Sequence, residues 1–221
     1  MAPAVVGIDW YKPGWVAAAL GAGSEAEILV GPDLEELVAR VPGAQCVAID
    51  MPIGLPETVR ECDVLARSFV KPRHNSVFMT PPAAVLKAST YEAANELALE
   101  RLGKKISKQA YALGPNIATV NALAERDARI IEVHPEVSFR ALAGTPVAWP
   151  KNSWNGDAVR RSAIQRAGIV VSNELDEAGG VPVADVLDAV AAAWSARRYA
   201  VHEAKSLPPR ASRGAKEVIW Y

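Results

Sequence analysis

Val5-Val6-Gly7-Ile8-Asp9 and Cys46-Val47-Ala48-Ile49-Asp50 are two apolar runs that each close on a carboxylate. A continuous apolar run bounded by turn residues predicts a buried strand, and for the second run, flanked by a helix, one covered on both faces. After the first run, Pro13-Gly14 marks a turn, and strands are predicted over 15–20 and 26–30, which makes an antiparallel meander. Pro32-Asp33 opens a helix with Leu34, Leu37, Val38 and Val41 as its buried stripe, and Pro42-Gly43 ends it. The second run cannot continue through Met51-Pro52-Ile53-Gly54-Leu55-Pro56, where two prolines and a glycine break the pattern. Beyond it the texture predicts helices over 57–70 and 91–102 and a broken one over 108–127. A strand over 129–133, a helix over 157–167, a short strand over 169–171 and a long helix over 183–202 follow, with 206–214 as a surface segment. The fold class is therefore α/β, one domain over 1–221, with the helical stretch at about 57–128 read as an insertion.

Composition bounds the function. A chain of 221 residues with 50% hydrophobic and 22% charged residues supports a real core and is not disordered. Its 24 Lys and Arg against 25 Asp and Glu exclude a broadly basic nucleic-acid coat, though not a local basic groove. Cys46 and Cys62 are too few for a disulfide framework or a zinc ribbon. No apolar run reaches the roughly 18 residues of a membrane span, and the first residues do not read as a signal peptide. The expectation is a cytoplasmic protein with no membrane partner.

The acids carry the chemistry. Asp9 and Asp50 close strands, and α/β sheets place their sites at strand ends. Asp185 and Asp188 are three apart near the start of the last long helix and share one face. Val186, Leu187, Ala189, Val190, Ala193 and Trp194 around them are apolar, and the alanines permit close docking on a sheet, aiming both acids at the strand ends. Converging carboxylates repel unless a cation joins them, and an all-oxygen set suits Mg²⁺ or Mn²⁺ better than Zn²⁺. Spacing alone equally allows each Asp to cap a strand, a turn or a helix.

The blocks Gly7-Ile8-Asp9, Ile49-Asp50-Met51-Pro52-Ile53-Gly54-Leu55-Pro56, Glu132-Val133-His134-Pro135-Glu136-Val137-Ser138-Phe139 and Asp185-Val186-Leu187-Asp188-Ala189 resemble the family known as domain of unknown function 429. Arg60-Glu61-Cys62-Asp63, Asn75-Ser76-Val77-Phe78 and Ser107-Lys108-Gln109-Ala110 resemble it too, so the likeness covers almost the whole chain. That resemblance implies a ribonuclease H-like fold with a mixed five-stranded sheet and a metal-dependent nuclease or phosphodiesterase. It is also similar to Holliday-junction resolvases in carrying an Asp-x-x-Asp pair on the final helix. By that analogy Asp9, Asp50, Asp185 and Asp188 are the metal ligands and catalytic acids. The family often has two adjacent acids where this chain has Ala184-Asp185.

Around this set, alternation along the late strand would put Glu132, His134 and Glu136 on one face, although Pro135 bends the register. Either Glu is a candidate ligand, and His134 a candidate proton carrier or phosphate contact. Arg60, Arg67, Arg73 and Lys151 are candidates for gripping a substrate backbone. Arg60, Asp63 and Arg67 read equally well as a salt-bridge ladder, and Trp149 and Trp154 near Lys151 as core or lid residues. The expected partner is a nucleic acid or a small phosphodiester. A homodimer would be ordinary, though no interface is legible. The competing reading is a non-catalytic nucleic-acid-binding or interaction module that keeps the fold without metal chemistry.

Overall fold

The computed structural model describes residues 4–221. The first run becomes β1 (Val5–Tyr11), followed by β2 (Gly14–Leu20), β3 (Glu25–Gly31), α1 (Leu34–Ala39) and β4 (Cys46–Ile49). The helices α2 (Glu61–Phe69), α3 (Ala83–Leu86), α4 (Tyr91–Leu102), α5 (Lys108–Ala112) and α6 (Gly114–Arg126) come before β5 (Ile130–Glu132). Then follow α7 (Pro135–Ala143), α8 (Trp154–Arg166), β6 (Val170–Val171), α9 (Val183–Ala200), β7 (Ser206–Leu207) and β8 (Ile219–Trp220). Thr90, Ser107 and Ser153 start α4, α5 and α8 by accepting a backbone N–H three residues on.

One mixed sheet runs in the order β5-β4-β1-β2-β3-β6. β1 pairs antiparallel with β2 and parallel with β4, and β4 pairs parallel with β5. The expected five strands are there; β6 is a sixth, added parallel to the edge of β3, where the Val170 amide donates to the Ser24 carbonyl at 2.8 Å. Extra pairing at an otherwise open edge satisfies backbone groups that would stay unpaired.

Side chains alternate across the sheet, and this parity positions the site. Val6, Ile8, Val47 and Ile49 join the core beneath α1 and α6. Val5, Cys46 and Ala48 join the opposite core, made with α7, α8 and α9. Asp9 and Asp50 share the parity of this second set. α9 crosses that face of β1, β2 and β4 on a run of buried alanines, Ala189 and Ala191–Ala193 among them. Gly7 makes this possible, because a Cβ there would lie 2.0 Å from the Ala193 nitrogen and 2.2 Å from the Ala189 carbonyl oxygen.

Three local expectations are corrected. The helix expected from 57 starts at Glu61, and the chain before it is irregular. Alternation does not run through 132–136, because Pro135 takes the first position of α7, where its missing N–H goes unused. The segment expected on the surface begins with buried Ser206 and Leu207, which pair as β7 with β8.

Candidate functional site

Asp9 lies near the C-terminal end of β1, and Asp50 follows β4 directly. The Asp50 amide donates to the Ile8 carbonyl at 2.9 Å, so the parallel ladder itself brings the two acids to one place. Asp185 and Asp188 enter from the first turns of α9. Oxygens of Asp9, Asp185 and Asp188 lie within 4.8 Å of one another, and Asp50 lines the same cleft, of ≈ 540 Å³.

Lys151 sits inside this group. Its ammonium donates to Asp188 Oδ2 at 2.7 Å and to Asp185 Oδ1 at 3.0 Å. Four carboxylates thus face one resident cation. Burial, then the charges of Asp50 and Asp188, push the Asp9 carboxyl well above the usual range against the pull of Lys151. Burial lifts Asp188 to about 6, although Lys151 opposes it. Burial also raises Asp50, opposed by His134 and Lys151. For Lys151 burial works against the charge, but Asp188 and Asp9 hold its ammonium above the ordinary lysine value.

His134 caps α7: its Nδ1 accepts the Glu136 amide at 3.2 Å, which leaves Nε2 as the protonated ring nitrogen in the neutral form. Glu136 also borders the cleft but is already paired, with Arg160 at 2.8 Å and Arg73 at 3.8 Å. Arg73 lines the cleft and is about a quarter exposed (24%).

Glu132 also lines the cleft but is tied to Arg60 behind it, and Arg60 and Arg67 are engaged elsewhere. Arg60 is fully buried and bonded to Glu132 at 2.6 Å and to Thr80 Oγ1 at 3.2 Å, so its guanidinium does not reach the cleft. Glu132 Oε2 also accepts the Ile53 amide at 2.6 Å, and Asp63 accepts the Thr80 amide at 2.7 Å. Burial pushes Glu132 up to about 7, against Arg60 and that amide. Of the expected ladder only the Arg60–Asp63 step exists, at 3.7 Å; Arg67 donates to the Val77 carbonyl. Cys62, Asp63 and Glu132 also lie close enough to share an ion, but the Arg60 guanidinium already supplies their positive charge.

The family described as Protein of unknown function (DUF429) matches residues 7–213. The chain belongs to that family. No curated protein and no solved structure matches it.

In this DUF429 protein some residues of the site carry no sequence signal. Asn121, on α6, accepts the Gly54 amide and donates to the Pro52 carbonyl, both at 2.8 Å, pinning the segment after Asp50. Gly54 there has φ of 86°, a left-handed conformation that favours glycine. Lys12 and Thr80 line the cleft from separate segments, and Gln109, whose block Ser107–Ala110 carried the family resemblance, joins them. No periodicity links them.

Proposed function

We propose that the protein is a metal-dependent phosphodiesterase of the nuclease kind, built on a ribonuclease H-like fold. The observation that carries this reading is the convergence of Asp9, Asp50, Asp185 and Asp188 on one cleft, in excess of the single ammonium among them. The strand order β3-β2-β1-β4-β5, with β2 antiparallel to the rest, supports the fold assignment. The donor set fits a hard divalent cation such as Mg²⁺ or Mn²⁺, since it is all carboxylate oxygen and mutually repelling without positive charge.

Asp9, Asp185 and Asp188 would hold the ion, with Asp50 as the adjacent fourth acid. A bound divalent cation supplies Lewis acidity at a phosphoryl oxygen and a more acidic water. His134, which lines the cleft, would pass a proton to the departing oxygen through Nε2. Arg73 offers a guanidinium to a phosphate at the cleft wall. Glu132 and Arg60 serve as a buried brace behind the segment that carries Asp50.

The test is a panel of labelled single-stranded, duplex and junction DNA and RNA, with a chromogenic phosphodiester, incubated with Mn²⁺. Turnover is expected to vanish with EDTA and to fall at least about 100-fold in Asp9→Asn, on the scale of lost charge stabilisation. Absence of both turnover and Mn²⁺ binding in the wild type overturns the reading. One observation favours the non-catalytic alternative: Lys151 already supplies a cation to two of the acids. Under that alternative, oligonucleotides bind equally with and without EDTA and are never cut.

A further inference from the structure

Lys151 donates to Asp185 and Asp188 within the acid group, and its backbone and side chain are held very differently. The backbone at Lys151 is held firmly. Ser153 donates its amide to the Pro150 carbonyl at 3.0 Å and its hydroxyl to the same oxygen at 2.8 Å, then caps α8. Gly156 approaches this turn so closely that a Cβ would lie 1.8 Å from the Pro150 oxygen. The Lys151 side chain, in contrast, is 36% exposed, while Asp188 beneath it is 6% exposed. The same side chain lines both the acid-floored cleft and a neighbouring groove formed with Trp154, Arg161 and Val183. An anchored backbone and a four-carbon stem at the boundary of two cavities allow the ammonium to change places without moving the loop.

We propose that Lys151 is the resident counter-ion of the Asp9–Asp185–Asp188 group and that a divalent cation binds there by displacing its ammonium towards the neighbouring groove. This rests on the metal-dependent reading above and deepens it. Metal and the Lys151 salt bridges exclude one another, so without metal the acids are kept together by an internal cation. Once metal is bound, the ammonium stands free at the rim of the cleft, where an anionic substrate meets it. By linkage, whatever the metal gains in affinity when Lys151 is removed measures the strength of that competition.

Calorimetric titration with Mn²⁺ of wild type, Lys151→Met, Lys151→Gln and Lys12→Met tests this. Lys12 lines the same cleft and forms no salt bridge with the acids, so it reports the general effect of removing a nearby positive charge. Both Lys151 variants are expected to bind Mn²⁺ about 10-fold or more tightly than wild type, within the usual span of coupled sites. Lys12→Met is expected to change affinity by about twofold at most, as an exposed screened charge. Variants no tighter than Lys12→Met overturn the displacement while leaving the metal-dependent reading intact. Binding by neither wild type nor variants overturns both. Binding by the Lys151 variants alone overturns the displacement, since Lys151 then shuts the metal out instead of yielding to it, and moves the protein to the non-catalytic alternative.

Unmodified protein gives a second measurement that does not depend on variants folding. Acetylation of Lys151 by an amine-directed reagent, followed by mass spectrometry with Lys12 as the internal reference, is expected to rise several-fold when EDTA is replaced by Mn²⁺. Equal labelling in both conditions overturns the proposal.

Discussion

Asp188 separates a ligand from a structural acid. It is buried, its carboxylate is bonded to Lys151, and it shares its space with Asp9 and Asp185. Asp188→Asn removes a repelling charge and keeps the shape. Its melting temperature in EDTA is expected to equal or exceed that of wild type, and the gain that Mn²⁺ gives wild type is expected to disappear. A loss of about 1–3 kcal/mol, the same with and without metal, marks a structural hydrogen-bonding residue instead. The raised carboxyls also set a pH dependence. Burial raises the Asp9, Asp50 and Asp188 carboxyls, so the folded state takes up protons at a higher pH than the unfolded chain does. Their contribution to stability is therefore complete below the ordinary Asp range and is lost as pH rises through the folded values, about 6 for Asp188. Urea midpoints in EDTA are expected to fall between pH 5 and pH 8, by about 1–3 kcal/mol in stability from this source. A saturating divalent cation should flatten that slope.

The contact between α9 and β1 is what brings Asp185 and Asp188 to the strand ends. It depends on Gly7 lying directly beneath the backbone of Ala189 and Ala193. Gly7→Ala is expected to destabilise the protein by about 3 kcal/mol or more, because a rigid helix backbone cannot yield as a side chain does. Mn²⁺ affinity should fall with it; an unchanged urea midpoint shows that α9 is not seated this closely. A second element-level brace joins α2, β5 and the segment after β4 through Arg60, Glu132, Thr80 and Ile53. Arg60→Met leaves two buried carboxylates without their cation and is expected to cost about 3–5 kcal/mol in urea unfolding. Arg67→Met, which removes a bond to one carbonyl from a half-buried position, should cost about 1 kcal/mol.

Taken whole, the molecule balances its charge to a net of -1, and seven acids, Asp9, Asp50, Asp185 and Asp188 among them, line the cleft that is proposed to receive an anion. The basic residues lining that cleft are Lys12, Arg73, Lys151 and His134. Under the proposed function, a substrate would be gripped through few phosphates. Oligonucleotide binding measured with Ca²⁺ against increasing KCl should follow a log–log slope of about -2 to -3, as three neutralised phosphates imply. A slope steeper than about -6 requires a long basic track that this cleft does not contain. Among the described residues no helix is long and apolar enough to cross a membrane.

Short-range patterns were enough to read the two carboxylate-ended strands, the meander, the helix boundaries at 91–102 and the acids spaced three apart at Asp185 and Asp188. They work because burial on both faces of a strand and one face of a helix leaves a local periodic trace. The same trace misread the residues after β5, where a proline at a helix start and a proline bending a strand look alike until the chain is folded. Partnership left no trace at all. Arg60 and Arg73 lie on adjoining segments with similar surroundings in sequence, yet packing buries the first against Glu132 and leaves the second at the cleft wall. Lys151 is legible only as one more basic residue; α9, more distant along the chain, brings Asp185 and Asp188 to its ammonium. A residue's charge is local, but whether that charge meets solvent, a partner or a substrate depends on which distant segments pack around it.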